Sequence, residues 1–82
     1  MGAVIPFPLA RRRQLIERCA ARMCELPPAT AEKHLRETLR VQTDTMARRG
    51  ILAATIDIEI TALECAVRAA LWRQVLTPGG AA

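Results

Sequence analysis

Cys19, Cys24 and Cys65 are the potential nucleophiles of this chain, and His34 is its one imidazole. A cysteine attacks as its thiolate, so catalysis would require a neighbouring base. The spacing supplies none, because His34 stands alone with no ligand or catalytic partner at i+4. The cysteines show no CxxC spacing either. Cys19 and Cys24, five apart, point about 140° from each other on a helix and cannot bridge. Zinc held by Cys19, Cys65 and His34 is conceivable in three dimensions, but structural zinc sites use closely paired ligands. Glu59 and Glu64 form no recognisable acid/base pair. The expectation is therefore buried free thiols in a reducing cytoplasm, with no catalytic residues, metal, cofactor or small-molecule substrate.

Arginine is the other chemically expressive residue. The run Arg11-Arg12-Arg13 opens a helical pattern, where cations oppose the macrodipole at a cost of some tenths of a kcal/mol each. Arg18 and Arg22 continue it, giving a basic ridge. Such a ridge suits nucleic-acid phosphates or an acidic protein partner, and it is equally what a solvated face looks like. The net charge of +4 permits both. Lys33 is the only lysine among the twelve basic residues, a bias that codon usage in a GC-rich genome also produces. There is no glycine-rich RNA motif, aromatic stacking platform or zinc-finger spacing for reading bases. A helix-turn-helix about Arg48-Arg49-Gly50-Ile51-Leu52 would place a mostly apolar helix in the groove, with no row of Asn, Gln or Arg for base edges.

The elements that must position these groups are helical. Eighty-two residues make one domain, which buries only about 60–65% of its unfolded surface, so an oligomer would add stability. Prolines and glycines fall at the ends and between segments, and no strand pattern is present. Pro6 and Pro8 impose a short extended arm over 1–8, with Ile5 and Phe7 folding back over the end of the bundle. A first helix is expected over 9–26, with Leu15, Ile16, Cys19, Ala20, Met23 and Leu26 inward and Arg11, Arg12, Gln14, Arg18, Arg22 and Glu25 mostly facing water. Leu26-Pro27-Pro28 stops it. The second helix, 28–49, begins on Pro28 or is capped by Thr30. Ala31, Leu35, Leu39, Gln42 and Met46 line its inner stripe. Glu32–Arg36 and Lys33–Glu37 stand at supportive i,i+4 spacing, and Gly50 suits the position after its end. A third helix covers 53–76 and a frayed tail covers 77–82. Short connections predict an all-α, antiparallel three-helix bundle.

The third helix is apolar on two sides. Ile56, Ile60, Leu63, Val67 and Ala70 form one stripe at alternating four- and three-residue steps. Ile58, Ala62, Cys65, Ala69, Trp72 and Leu76 form a second, roughly 160–200° away. Asp57, Thr61, Glu64 and Arg68 make the one continuous polar strip. A helix apolar on two flanks needs partners on two flanks, so the second stripe is expected at a protein interface, as in a homodimer. Trp72 is assigned to core packing, with an interface anchor as the alternative. Gln42 and Gln74 on apolar stripes could fix register, though Gln74 sits at a wet helix end.

The start is not a signal peptide, since its apolar stretch is short, broken by proline and followed rather than preceded by charge. Pro6 breaks the myristoylation pattern, and Arg12-Arg13 lacks the apolar region of a twin-arginine signal. Asp57, Glu59, Glu64, Arg68 and Arg73 are too many charges for a membrane span. A cytoplasmic protein with no membrane partner follows.

The stretches VIPFPLARRR at 4–13, LPPATAEKHL at 26–35 and ALECAVRAALWRQVL at 62–76 resemble a family of small uncharacterised helical proteins, of the domain-of-unknown-function kind, from GC-rich bacteria. The resemblance covers almost the whole chain and implies a small soluble cytoplasmic protein, without an activity or site residues. The expected function is a non-enzymatic interaction module. In one form it is a basic accessory protein whose Arg11, Arg12, Arg13, Arg18 and Arg22 contact nucleic-acid phosphates. In the other it is a protein-binding adaptor or inhibitor, of phage or mobile-element type, using the Ile58–Trp72 surface with an arginine rim.

Overall fold

The computed structural model describes residues 9–76, with side chains from Arg12 onward. The expected arm over 1–8, including the fold-back of Ile5 and Phe7, and the expected tail over 77–82 lie outside the described residues. Three helices account for most of what is described: α1 (Leu9–Cys24), α2 (Pro28–Arg48) and α3 (Ala53–Leu76). The protein is all-α, with no strand among the described residues.

The helix boundaries follow from local chemistry. α1 ends two residues before the expected 26, because Leu26 precedes a proline and is driven out of the α region. The last turn tightens first, with Glu25 N–H donating to the Arg22 carbonyl at 3.0 Å and Leu26 N–H to the Met23 carbonyl at 3.2 Å. Pro28 opens α2 at a position where its missing N–H is harmless. Thr30 is not the cap, since Pro27 occupies that place and its carbonyl accepts from Ala31 N–H at 2.8 Å. The far end of α2 is a Schellman turn. Gly50 N–H donates to Ala47 at 3.0 Å, Ile51 N–H donates to Met46 at 3.2 Å, and Gly50 takes φ of 80°.

Every helix packs against both others. The core is built from Cys19, Ala20 and Met23 of α1, Ala31 and Leu35 of α2, and Leu63, Val67 and Ala70 of α3. Leu15, Ile16, Leu26, Leu39, Ile60 and Leu71 surround it. Met46 and Ile56 are buried near the α2–α3 connection. Among the described residues the interior holds only aliphatic and sulfur-bearing side chains. Trp72 is not part of it: 62% of its surface is exposed, which corrects its assignment to core packing. The thiols also divide, with Cys19 buried but Cys24 and Cys65 exposed, contrary to three buried cysteines.

Gly50 is the one described position where a side chain would strain the backbone, and nothing lies within 4 Å of where a Cβ would stand. The expected cost of Gly50→Ala is therefore conformational alone, about 1–2 kcal/mol for a residue held in the left-handed region. Urea unfolding at fixed protein concentration measures it, and Gly50→Asn should lose less. Equal stability of Gly50→Ala and wild type would mean that the turn relaxes freely.

Candidate functional site

The arginines of α1 do not form one continuous ridge. Arg12 is half-buried and turns toward α3, where its Nη1 lies 2.8 Å from Glu59 Oε1 and its Nη2 donates to the Glu59 carbonyl at 3.4 Å. This corrects its assignment to the water-facing side. A cation at the positive end of α1 is placed unfavourably unless an anion is supplied, and Glu59 supplies it. Arg22 pairs with Glu25 at 3.0 Å in the open. Arg13 and Arg18 are exposed and make no ion pair among the described residues. The side chain of Arg11 lies outside them.

Between α2 and α3 one ion pair joins helices where the sequence suggested a pair along one helix. Glu32 does not pair with Arg36. Its two carboxylate oxygens each accept from a different guanidinium nitrogen of Arg68, both at 2.9 Å. Arg68 also donates to Glu64 Oε2 from Nε at 3.2 Å and from Nη2 at 3.1 Å. Hydrogen bonds from Arg68 hold the Glu32 carboxyl below its ordinary pKa, and those to Glu32 and then Glu64 raise that of Arg68. Glu37 likewise pairs with Arg40 rather than with Lys33, and Arg40 reaches Asp44 at 3.0 Å. The hydrogen bond from Arg40 lowers the Glu37 pKa.

Cys19 and His34 line one shallow groove with Leu15, Arg18, Arg22 and Thr38. Burial pushes the Cys19 thiol up, against a smaller opposing effect of its long contact with Thr38 Oγ1 at 3.9 Å. The groove therefore favours the thiol over the thiolate that attack or metal ligation requires. Among the described residues no three His, Cys, Asp or Glu side chains converge as metal ligands would, so Cys19, His34 and Cys65 are not assembled.

The outer flank of α3 presents a continuous apolar strip. Ile58, Trp72 and Leu76 are 67%, 62% and 68% exposed, and the smaller Ala62, Cys65 and Ala69 are exposed between them. From Ile58 to Leu76 the strip runs about 27 Å along the helix. The structure thus gathers all six residues of the second stripe on one open surface, while the buried stripe is covered by α1 and α2. Glu32 was expected to pair with Arg36 and Glu59 was weighed only beside Glu64, because no spacing along one helix announces a partner on another.

These features define a small all-α protein built on three mutually packed helices. The chain belongs to a family of unknown function, DUF6074, whose model matches residues 1–82. No curated protein and no solved structure matches it significantly. No helix among the described residues is long and apolar enough to cross a membrane.

The Glu32–Arg68 pair has a pH signature. A carboxyl whose folded pKa is depressed contributes stability above its unfolded value, about 4.3, and loses it as pH falls through the folded one. Glu32→Gln should therefore be less stable than wild type near neutrality and show a flatter acid limb below about pH 5. Glu37 would keep part of the limb. Thermal unfolding across that range tests this, and identical slopes would show that the pair contributes nothing.

Proposed function

We propose that this protein is a non-enzymatic interaction module whose working surface is the open apolar flank of α3, flanked by arginines that steer a partner. The observation that carries this reading is the exposure of Ile58, Trp72 and Leu76 in line on one helix. Isolated exposed apolar residues are ordinary, whereas a contiguous strip is what contact surfaces display. Large side chains separated by Ala62, Cys65 and Ala69 give a knobbed ridge with shallow gaps, a form suited to another helix. The helices are arranged as an antiparallel bundle. Supporting this, Arg12 meets Glu59 and Cys24 meets Gln74 along α1 and α3, while Cys19 meets Thr38 and Glu32 meets Arg68 across α2. A reducing cytoplasm suits the free, exposed Cys24 and Cys65.

Trp72 is the only tryptophan, so its fluorescence reports on this flank alone. In protein isolated gently from cells that make it, Trp72 should be shielded from acrylamide. Ala69→Glu should expose it while leaving helix content unchanged, because Ala69 is already exposed. Equal, full quenching in both proteins would show that the flank is not a contact surface.

A second reading, contact with nucleic-acid phosphates, is supported by Arg13 and Arg18, exposed cations about 1.4 turns apart on α1. Affinity for generic duplex or single-stranded DNA should then fall log-linearly with salt, by about 0.9 in slope per duplex phosphate neutralised. Arg13→Glu with Arg18→Glu should abolish it. An absence of binding at low salt removes this reading.

A further inference from the structure

We infer that the partner of the α3 flank is a second copy of the same helix, running antiparallel about a twofold axis at the level of Val67. This rests on the reading of that flank as a contact surface and adds an occupant, an orientation and a register.

The six exposed residues follow the alternating four- and three-residue steps of a coiled-coil seam. They are also symmetric about Val67. Ile58 and Leu76 are equidistant from it, as are Ala62 and Trp72, and Cys65 and Ala69. Two antiparallel copies in that register set Ile58 against Leu76 at both ends. Each Trp72 covers the Ala62 of the other copy, and only small side chains meet in the centre. Large side chains thus oppose small ones where an indole must fit, and the small central pair lets the backbones approach closely. Within one chain, 62% of Trp72 stays uncovered, so the gap over Ala62 of another copy offers what its own fold lacks.

The edges of the seam agree. Glu59 and Arg73 lie on the edge toward α1, where Glu59 meets Arg12 and Arg73 stands 3.9 Å from Glu17. Antiparallel pairing brings Glu59 of each copy across from Arg73 of the other, two attractive contacts related by the twofold. On the edge toward α2, Arg68 faces its own counterpart, and each is already neutralised by Glu32 and Glu64. A parallel pair fails on both counts. It stacks Trp72 on Trp72 and leaves Ala62 against Ala62, and it sets Arg68 across from Arg73, like charge against like.

The register is tested on the whole chain by mass and by thiol crosslinking. Sedimentation equilibrium of the purified protein should give twice the 9.0 kDa chain mass. Ala62→Trp or Trp72→Ala alone should yield monomer, and the double variant should regain the dimer because the indole and its gap have exchanged places. In a Cys24→Ser background, diamide should leave Cys65 unlinked, since the two Cys65 residues lie four residues, about 6 Å, out of register along the axis. Adding Ala69→Cys should give a covalent dimer on a non-reducing gel. A Cys65-linked dimer without Ala69→Cys would overturn the antiparallel orientation. Failure of the double variant to dimerise would overturn the register. A monomeric wild type would overturn self-pairing, and shielding of Trp72 in protein taken from cells would then leave the flank as a surface for a different partner.

Discussion

Leu63 and Val67 lie fully buried in a cluster to which all three helices contribute, and the rest of the structure depends on how closely the backbones approach around them. Ala20, Ala31 and Ala70 make that approach possible, because a methyl group is all that stands between one helix and the next. Among the described residues the interior therefore fills with small, aliphatic and sulfur-bearing side chains and holds no ring. An indole would not fit such a cluster without parting the helices, which accounts physically for Trp72 lying outside it.

Charge then does what a small core cannot. In so short a chain the buried surface leaves a modest margin of stability, so the contacts at its rim matter. Arg12 with Glu59 ties α1 to α3, and Arg68 between Glu32 and Glu64 ties α2 to α3. Both clasps are partly open to solvent, where such pairs contribute little singly and more as a network. Their placement has a functional side. They consume arginines and carboxylates next to the apolar flank of α3 without covering it, so its edges are charged and its centre is bare.

Much of this was legible in the amino-acid order. The four- and three-residue steps of Ile56, Ile60, Leu63, Val67 and Ala70 identified the buried stripe, and Pro28 and Gly50 marked the limits of α2. These are local signals: periodicity, a fixed φ, a left-handed φ. What was not legible depends on distance in the chain. Glu32 at i,i+4 from Arg36 looked like a pair along α2, yet Arg68, thirty-six residues away, offers both Glu32 oxygens a fork of donors. Arg12 looked like part of a wet ridge until Glu59 was placed beside it. Cys24 shows the same limit, since helical periodicity marks a thiol as apolar without saying whether another helix covers it.

The most extensive helix contact joins the first element to the last. Arg12 finds its anion at Glu59 and Cys24 touches Gln74, some fifty residues later. On the ribosome, then, α1 and α2 emerge with half a core, and Leu35 and Cys19 wait for the segment still being synthesised. Such distant closure is slower than pairing of neighbours, because the loop entropy is lost before the contacts form. Nascent chains of this protein thus pass through a stage in which apolar surface is uncovered, ended only when α3 has emerged and docks.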